Sequence, residues 1–222
     1  MSFPYMCTIY PLELIYRYVY LACVSCVGSY GAGLVVMSFL TFAVFVPLKK
    51  WAKKAADKER DIQDMMAPQI AKIKSESTGG ERQERISKLY KRYGYNPVMA
   101  VRSAVGAMLQ IPFLMAAYYM ICNLKGLEGQ SFLFIRDLSE PDGLLFGLNL
   151  LPILMTLINF ATTFTTKDMR PKDRIQAIVI ALLFLVLLYS APSALLIYWT
   201  CNNILYLLEN VKFVKEFRSA AK

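Results

Sequence analysis

Residues 31–48 read GAGLVVMSFLTFAVFVPL, and residues 49–54 read KKWAKK. From Tyr30 to Leu48 there is no charged side chain, and about 20 mostly apolar residues suffice to cross the hydrocarbon of a bilayer. The lysines that follow mark one side of it. Cytoplasmic loops of membrane proteins collect Lys and Arg, so this stretch reads as a span whose C-terminal end faces the cytoplasm.

The rest of the 222 residues carries the same signature. Hydrophobic residues make up 56% and charged residues 18%, where a soluble domain is about a quarter charged. Mean hydropathy is +0.40. Disorder is excluded by the apolar content. Histidine-based zinc sites, triads and relays are excluded because the chain has no His. No basic region precedes a short apolar run at the start, so no cleavable signal peptide is expected. Five cysteines sit mostly in apolar runs. Cys23 and Cys26 read as two small residues on a helix rather than a redox or metal pair.

Four more spans are expected, at Val98–Asn123, Leu144–Thr165, Arg174–Ser190 and Ser193–Val211. Pro192 separates the last two into a tight hairpin. Residues 11–27 (PLELIYRYVYLACVSCV) carry Glu13 and Arg17 and read as an interfacial amphipathic helix. Tyr10, Tyr16, Tyr18 and Tyr20 suit the headgroup zone, where a ring can keep one wet end.

Charge sets the orientation. Segment 49–95 holds thirteen Lys and Arg against seven Asp and Glu. Lys167, Arg170, Lys172 and Arg174 line one short loop, and Lys212, Lys215, Arg218 and Lys222 the tail. The loop 124–143 instead has Lys125 and Arg136 against Glu128, Asp137, Glu140 and Asp142. The basic segments belong to the cytoplasm and the acidic loop to the outside. Five spans then put the N-terminus outside and the C-terminus in the cytoplasm.

Segment 49–96 is expected to be an antiparallel helical hairpin. Ile62, Met66 and Ile73 form one apolar seam, Ile86, Leu89, Tyr90 and Tyr93 the other, and Gly79–Gly80 the break. Its charges read as a solvated face, or as a surface for anionic headgroups, ribosomal RNA or an acidic nascent chain. The domain organisation is therefore 1–29 amphipathic segment, 30–48 first span, 49–96 hairpin, 97–212 spans two to five, and 213–222 basic tail.

This order resembles the YidC/Oxa family of membrane protein insertases. Gly94-Tyr95-Asn96-Pro97 and Leu109-Gln110-Ile111-Pro112-Phe113 resemble the family's Asn-Pro and Gln-x-Pro landmarks. FLFIRDLSEPD (132–142) resembles its outer loop, LLPILM (150–155) the start of the next span, and Pro192-Ser193-Ala194-Leu195 through Tyr198-Trp199 and Asn202-Asn203 its last span. The resemblance covers about residues 11–212. It implies an all-α integral membrane protein of the bacterial inner membrane, with five spans around a polar groove open to cytoplasm and lipid. The implied function is insertion and chaperoning of membrane proteins. Hydrophilic segments take the groove and apolar helices pass into the bilayer, without cofactor, metal or enzymatic step. The implied partners are nascent or newly made membrane proteins, anionic headgroups, and the ribosome or a protein translocation channel; DNA is not among them.

Polar side chains within spans are the groove candidates, because polar atoms in hydrocarbon need partners or water. These are Ser38, Thr41, Gln110, Asn159 and Thr162, with Thr163 on the same face as Asn159. They either line a groove or bond neighbouring helices. The Asn202–Asn203 pair reads as such a packing contact. Tyr198 and Trp199 fall on the family's aromatic pair, a region of substrate contact, or pack between spans. Met99, Met108, Met115 and Met120 read as gap fillers.

One departure matters. The family pattern carries an arginine five residues before the Pro that ends the first span. Counting back from Pro47 lands on Phe42. Arg102, near the cytoplasmic interface, either anchors there or replaces the missing charge. The absent arginine also fits an alternative: a dedicated accessory subunit for one membrane complex or envelope-polymer pathway. A channel fits less well, because there is no visible inverted repeat or charged midplane pair. An enzyme fits least, because no titratable cluster lies inside the spans.

Overall fold

The structure is a computed structural model that describes residues 9–96, 98–166 and 169–220, with side chains outside 55, 99–110 and 212–220. It is helical: α1 (Tyr10–Val27), α2 (Tyr30–Glu76), α3 (Gly79–Arg92), α4 (Val98–Cys122), α5 (Leu150–Thr165), α6 (Pro171–Leu188) and α7 (Ser193–Ala220). Lys167 falls outside the described residues, and the side chains of Arg102, Gln110, Met99 and Met108 are likewise not described. The chain divides into two compact units, the first lying in sequence on either side of the second, which is Phe45–Pro112.

In the first unit the local signals are those of the sequence. Pro11 sits at the start of α1, where its missing N–H costs nothing. Gly28 ends α1 with φ 70°, and its N–H donates to Val24 O at 2.8 Å, a left-handed cap that favours glycine. Pro171 starts α6 in the same way. Leu34, Met37, Ala116, Ala117, Met120, Leu195 and Leu196 form the core with Tyr20.

The expected interfacial helix is corrected by its packing. Tyr20 and Val24 lie against Gly33, where a Cβ would come within 2.8 Å of the Val24 side chain. The Tyr20 hydroxyl donates to Tyr30 O at 2.9 Å. One turn earlier in α1, Tyr16 meets Thr41, eleven residues past Tyr30 and so about 16 Å along α2. Earlier residues of α1 thus meet later residues of α2, and the two run antiparallel rather than lying apart. Of the expected headgroup tyrosines, Tyr18 is 71% exposed, whereas Tyr16 and Tyr20 are buried. The inward face carries Glu13, Tyr16, Tyr20 and Cys23, and the outward face Ile15, Tyr18, Val19 and Leu21. A tyrosine can be buried when its hydroxyl finds an acceptor, as Tyr20 does at Tyr30 O.

The segment between α4 and α5 roofs one end of this unit. Leu127, Ile135 and Leu138 are buried. Phe132 lies so close to Gly31 that a Cβ there would overlap its ring. The backbone N–H groups of Ser193 and Ala194 donate to Glu140 O and Leu138 O at 2.8 and 2.9 Å, which ties the roof to the start of α7. The helix expected from Leu144 begins instead at Leu150. The Asp142 carboxylate accepts from Leu150 N and Leu151 N at 2.6 and 3.3 Å. It satisfies orphan donors of the first turn, so residues 143–149 remain loop.

α6 is almost entirely apolar beyond its first turn, yet Val179, Ile180, Leu182, Leu183, Val186 and Leu187 are all exposed. So are Ile153, Leu154 and Leu157 of α5. A contiguous apolar surface of this kind marks contact with lipid or protein rather than water. Among the described residues only α2 has a stretch both long and apolar enough to cross a membrane; the apolar helices Ile111–Cys122 and Leu150–Thr165 are shorter.

In the second unit α2 continues without a break through Pro47 to Glu76, and α3 turns back along its end. Gln69 donates to Tyr93 Oη at 2.6 Å and Gln63 to Tyr95 Oη at 3.2 Å. Met66 and Leu89 fill the seam. The Arg82 guanidinium donates to Ser77 O and Lys74 O at 2.7 and 2.9 Å, satisfying carbonyls that a helix end leaves open. Arg85–Glu81 (2.7 Å) and Lys88–Glu84 (2.8 Å) pair along α3. At such exposed positions each pair is worth about 0.5 kcal/mol or less.

Candidate functional site

Three helices of the first unit bring hydroxyls together. The Tyr198 hydroxyl on α7 donates to Thr41 Oγ1 on α2 at 3.3 Å. The Tyr16 hydroxyl on α1 lies beside both. Each hydroxyl has one donor and two acceptor positions, so a ring of three can satisfy itself. None of the three carries a charge.

One turn toward the roof, Ser38 is fully buried. Its hydroxyl proton is shared between Leu34 O at 2.8 Å and Tyr198 O at 3.1 Å. Asn202 Nδ2 donates to the same Tyr198 carbonyl at 2.9 Å. Ser38 and Asn202 thereby fasten the backbone of α7 at Tyr198, and the ring hydroxyls lie beside this fastened point.

Phe42 packs edge-on against Tyr206, with centroids 5.0 Å apart and an interplanar angle of 61°. Trp199 turns toward α6 and meets Phe184 at 6.1 Å and 83°. Two buried polar atoms just after Tyr198 on α7 have no hydrogen-bond partner among the described residues, Trp199 Nε1 and Thr200 Oγ1.

Of the residues singled out in the sequence, Ser38, Thr41 and Tyr198 come together, with Phe42 one residue further along α2. On α5, no hydrogen bond links Asn159 or Thr162 to them among the described residues. Thr162 Oγ1 donates to Ile158 O and Thr163 Oγ1 to Asn159 O, both at 2.8 Å, so these hydroxyls are satisfied within their own helix. Tyr16 was missed, having been read as a headgroup tyrosine. The available signal was Glu13, Tyr16, Tyr20 and Cys23 at three- and four-residue spacing, which defines one helix face.

An all-helical chain with exposed apolar helices, a roofed end and a neutral hydroxyl cluster at a three-helix junction is built as an integral membrane protein. The sequence profile of the 60Kd inner membrane protein family matches residues 22–220. A membrane protein insertase YidC of Treponema denticola is 30% identical over 94% of this chain and 38% of its own length. One from Clostridium tetani is 27% identical over 87% of this chain and 86% of its own. A crystal structure of active YidC insertase, with its first transmembrane domain resolved, superposes with a TM-score of 0.54 at 21% identity. It covers 94% of this chain and 46% of that one. The chain belongs to the 60Kd inner membrane protein family, that of the YidC insertases. It spans little more than a third of the Treponema relative and most of the Clostridium one.

Proposed function

We propose that this chain is a membrane protein insertase and chaperone, whose polar path runs along the α1–α2–α7 junction. The ring of Tyr16, Thr41 and Tyr198 hydroxyls carries the reading. A hydrophilic segment entering hydrocarbon without partners pays several kcal/mol for each unpaired polar group. Hydroxyls that can exchange their mutual bonds for bonds to a passing backbone lower that barrier. The substrate's own apolar helix then supplies the downhill step into lipid, so no nucleotide, metal or covalent step is required. Thr200 Oγ1 and Trp199 Nε1 offer further contacts on α7.

In this reading the five apolar segments span the membrane, the 124–148 roof lies outside, and the α2–α3 hairpin and C-terminus lie in the cytoplasm; because α1 runs back along α2, its N-terminal end points toward the cytoplasmic end of the first span and not outside, as a count of five spans alone would place it. The basic excess of 49–95 supports that orientation and suits contact with anionic headgroups, a nascent chain or ribosomal RNA. Arg102 remains the candidate for a charge near the cytoplasmic entrance, and Gln110 for a further polar contact. α5 is 16 residues long, about 24 Å at 1.5 Å per residue. That is shorter than the usual hydrocarbon thickness of about 30 Å, so it favours local thinning of the bilayer.

The Phe42–Tyr206 pair favours a second reading, a dedicated subunit that serves one partner. A neutral site has no charge with which to collect acidic tails generally. Site-specific photo-crosslinking from positions 41 and 198 to translating membrane proteins tests the insertase. Adducts with several unrelated short membrane proteins are expected. Adducts with a single client would favour the dedicated subunit, and none with any nascent chain would end the insertase reading.

A further inference from the structure

The roof segment exposes apolar side chains at two places. Two of its carboxylates turn toward the backbone: Asp137 accepts from Gly129 N (2.9 Å), Ser139 N (2.8 Å) and Ser139 Oγ (2.7 Å), and Asp142 accepts from the first turn of α5. Leu127, Ile135 and Leu138 turn inward, but three other large apolar side chains turn outward. Leu133 is 80% exposed, Phe134 86% and Phe146 fully exposed.

These three sit at the tips of two tight turns. Phe132 and Ile135 exchange both backbone bonds at 3.0 Å, and Leu145 and Leu148 exchange theirs at 2.8 and 3.3 Å. Leu133 has φ 52° and Phe146 φ 50°. Glycine or asparagine suits such positions, while a bulky side chain there costs on the order of 1 kcal/mol. In water, both the strain and the exposure would be unfavourable. Something must reward apolar side chains at positions where the backbone prefers glycine.

The location says what does so. Phe132 rests on Gly31 at the start of α2, so the first tip stands at that end of the apolar stretch. The second tip directly precedes α5, whose exposed Ile153, Leu154 and Leu157 continue the apolar surface. Both tips are therefore continuous with the surface of a membrane protein that meets lipid. We propose that Leu133, Phe134 and Phe146 are lipid anchors that enter the outer leaflet at the headgroup–acyl boundary and fix the height of the roof. Burying apolar surface there returns about 25 cal/mol per Å², and the tight turns aim the side chains while Ile135 holds the first turn to the core. This inference rests on the outside placement of the roof and not on the hydroxyl ring.

The test replaces Phe134 or Phe146 with p-benzoylphenylalanine in the full chain, reconstituted into vesicles of phosphatidylethanolamine and phosphatidylglycerol. The same residue in place of exposed Glu128 serves as the reference. After irradiation, lipid adducts are read by mass spectrometry. Adducts several-fold above the Glu128 reference are expected at both tips. Yields equal to that reference, or adducts only to a second copy of the chain, would overturn the proposal. Topology is read independently by protease digestion of sealed vesicles. A roof on the inner face would sink the orientation, whereas a roof outside without lipid adducts would sink the anchors alone.

Discussion

Gly33→Ala is the sharpest probe of how α1 is held. Within a helix, Gly→Ala ordinarily gains about 1 kcal/mol. At position 33 the new Cβ would stand 2.8 Å from Val24 Cγ2 and 3.3 Å from both Tyr20 Cε2 and Val24 N. The last of these is backbone, so turning one rotamer does not relieve the overlap and α1 itself must shift. Overpacking of this kind costs about 1–3 kcal/mol. Set against the propensity gain, a net loss of about 1 kcal/mol follows, enough to raise an open population roughly fivefold. Cys23 is buried on the inward face of α1 and Cys26 is exposed on the same helix. Maleimide labelling of the two thiols, followed by peptide mass spectrometry, therefore reports separation of α1 against an internal reference. Labelling of Cys23 relative to Cys26 should rise roughly fivefold. Gly80→Ala is the control, because nothing lies within 4 Å of its Cβ position; it should stabilise the hairpin by up to about 1 kcal/mol and leave Cys23 unchanged. Labelling of Cys23 equal to or slower than in the parent would refute the antiparallel α1–α2 contact.

Further outcomes follow from single contacts. Tyr198→Phe and Thr41→Val should each cost about 0.5–1.5 kcal/mol in thermal unfolding; because they share one hydrogen bond, the double variant should cost less than the sum. Asp142→Ala should lower stability by about 1–2 kcal/mol through loss of the α5 cap, and hydrogen exchange should show Leu150 and Leu151 amides losing protection first. The Asp137 carboxyl is held below its ordinary value of 3.8, first by the Ser139 hydroxyl and then by the backbone N–H groups of Ser139 and Gly129. A depressed carboxyl stabilises the folded form above its ordinary value, and that stabilisation is lost as pH falls through the lower folded value. Amide protection at Gly129 and Ser139 should thus be constant from neutral pH to about pH 4 and decline only in stronger acid; a decline beginning above pH 5 would contradict it. Phe42→Arg should introduce a charge beside Tyr206 and make crosslinking to acidic-tailed substrates exceed that to neutral-tailed ones, whereas the parent should treat the two alike.

Much of the helix order was legible because its signals are local. Pro11, Gly28, Pro171 and Pro192 act through their own backbone geometry, and uninterrupted apolar runs need no partner to be recognised. The family resemblance was legible for a related reason, since landmarks such as Asn96–Pro97 and Leu109–Pro112 keep their order along the chain. The start of α5 was not, because apolar Leu144–Leu148 look like helix until Asp142 reaches across to cap Leu150. Among the site residues, Ser38, Thr41 and Tyr198 could be named individually as polar groups in apolar runs. Their meeting could not be, because it depends on the packing of α1 and α7 against α2.

The amino-acid sequence alone determined the lipid-loving composition, the segment order and the asymmetry of charge, since each is a sum over neighbouring residues. Only the tertiary structure decided that Tyr16 and Tyr20 turn inward rather than to the headgroups, that Phe42 meets Tyr206, and that the roof shows Phe134 and Phe146 to its surroundings. Those choices depend on which distant atoms supply a hydroxyl's acceptor or a ring's contact surface, and a one-dimensional pattern does not contain that information.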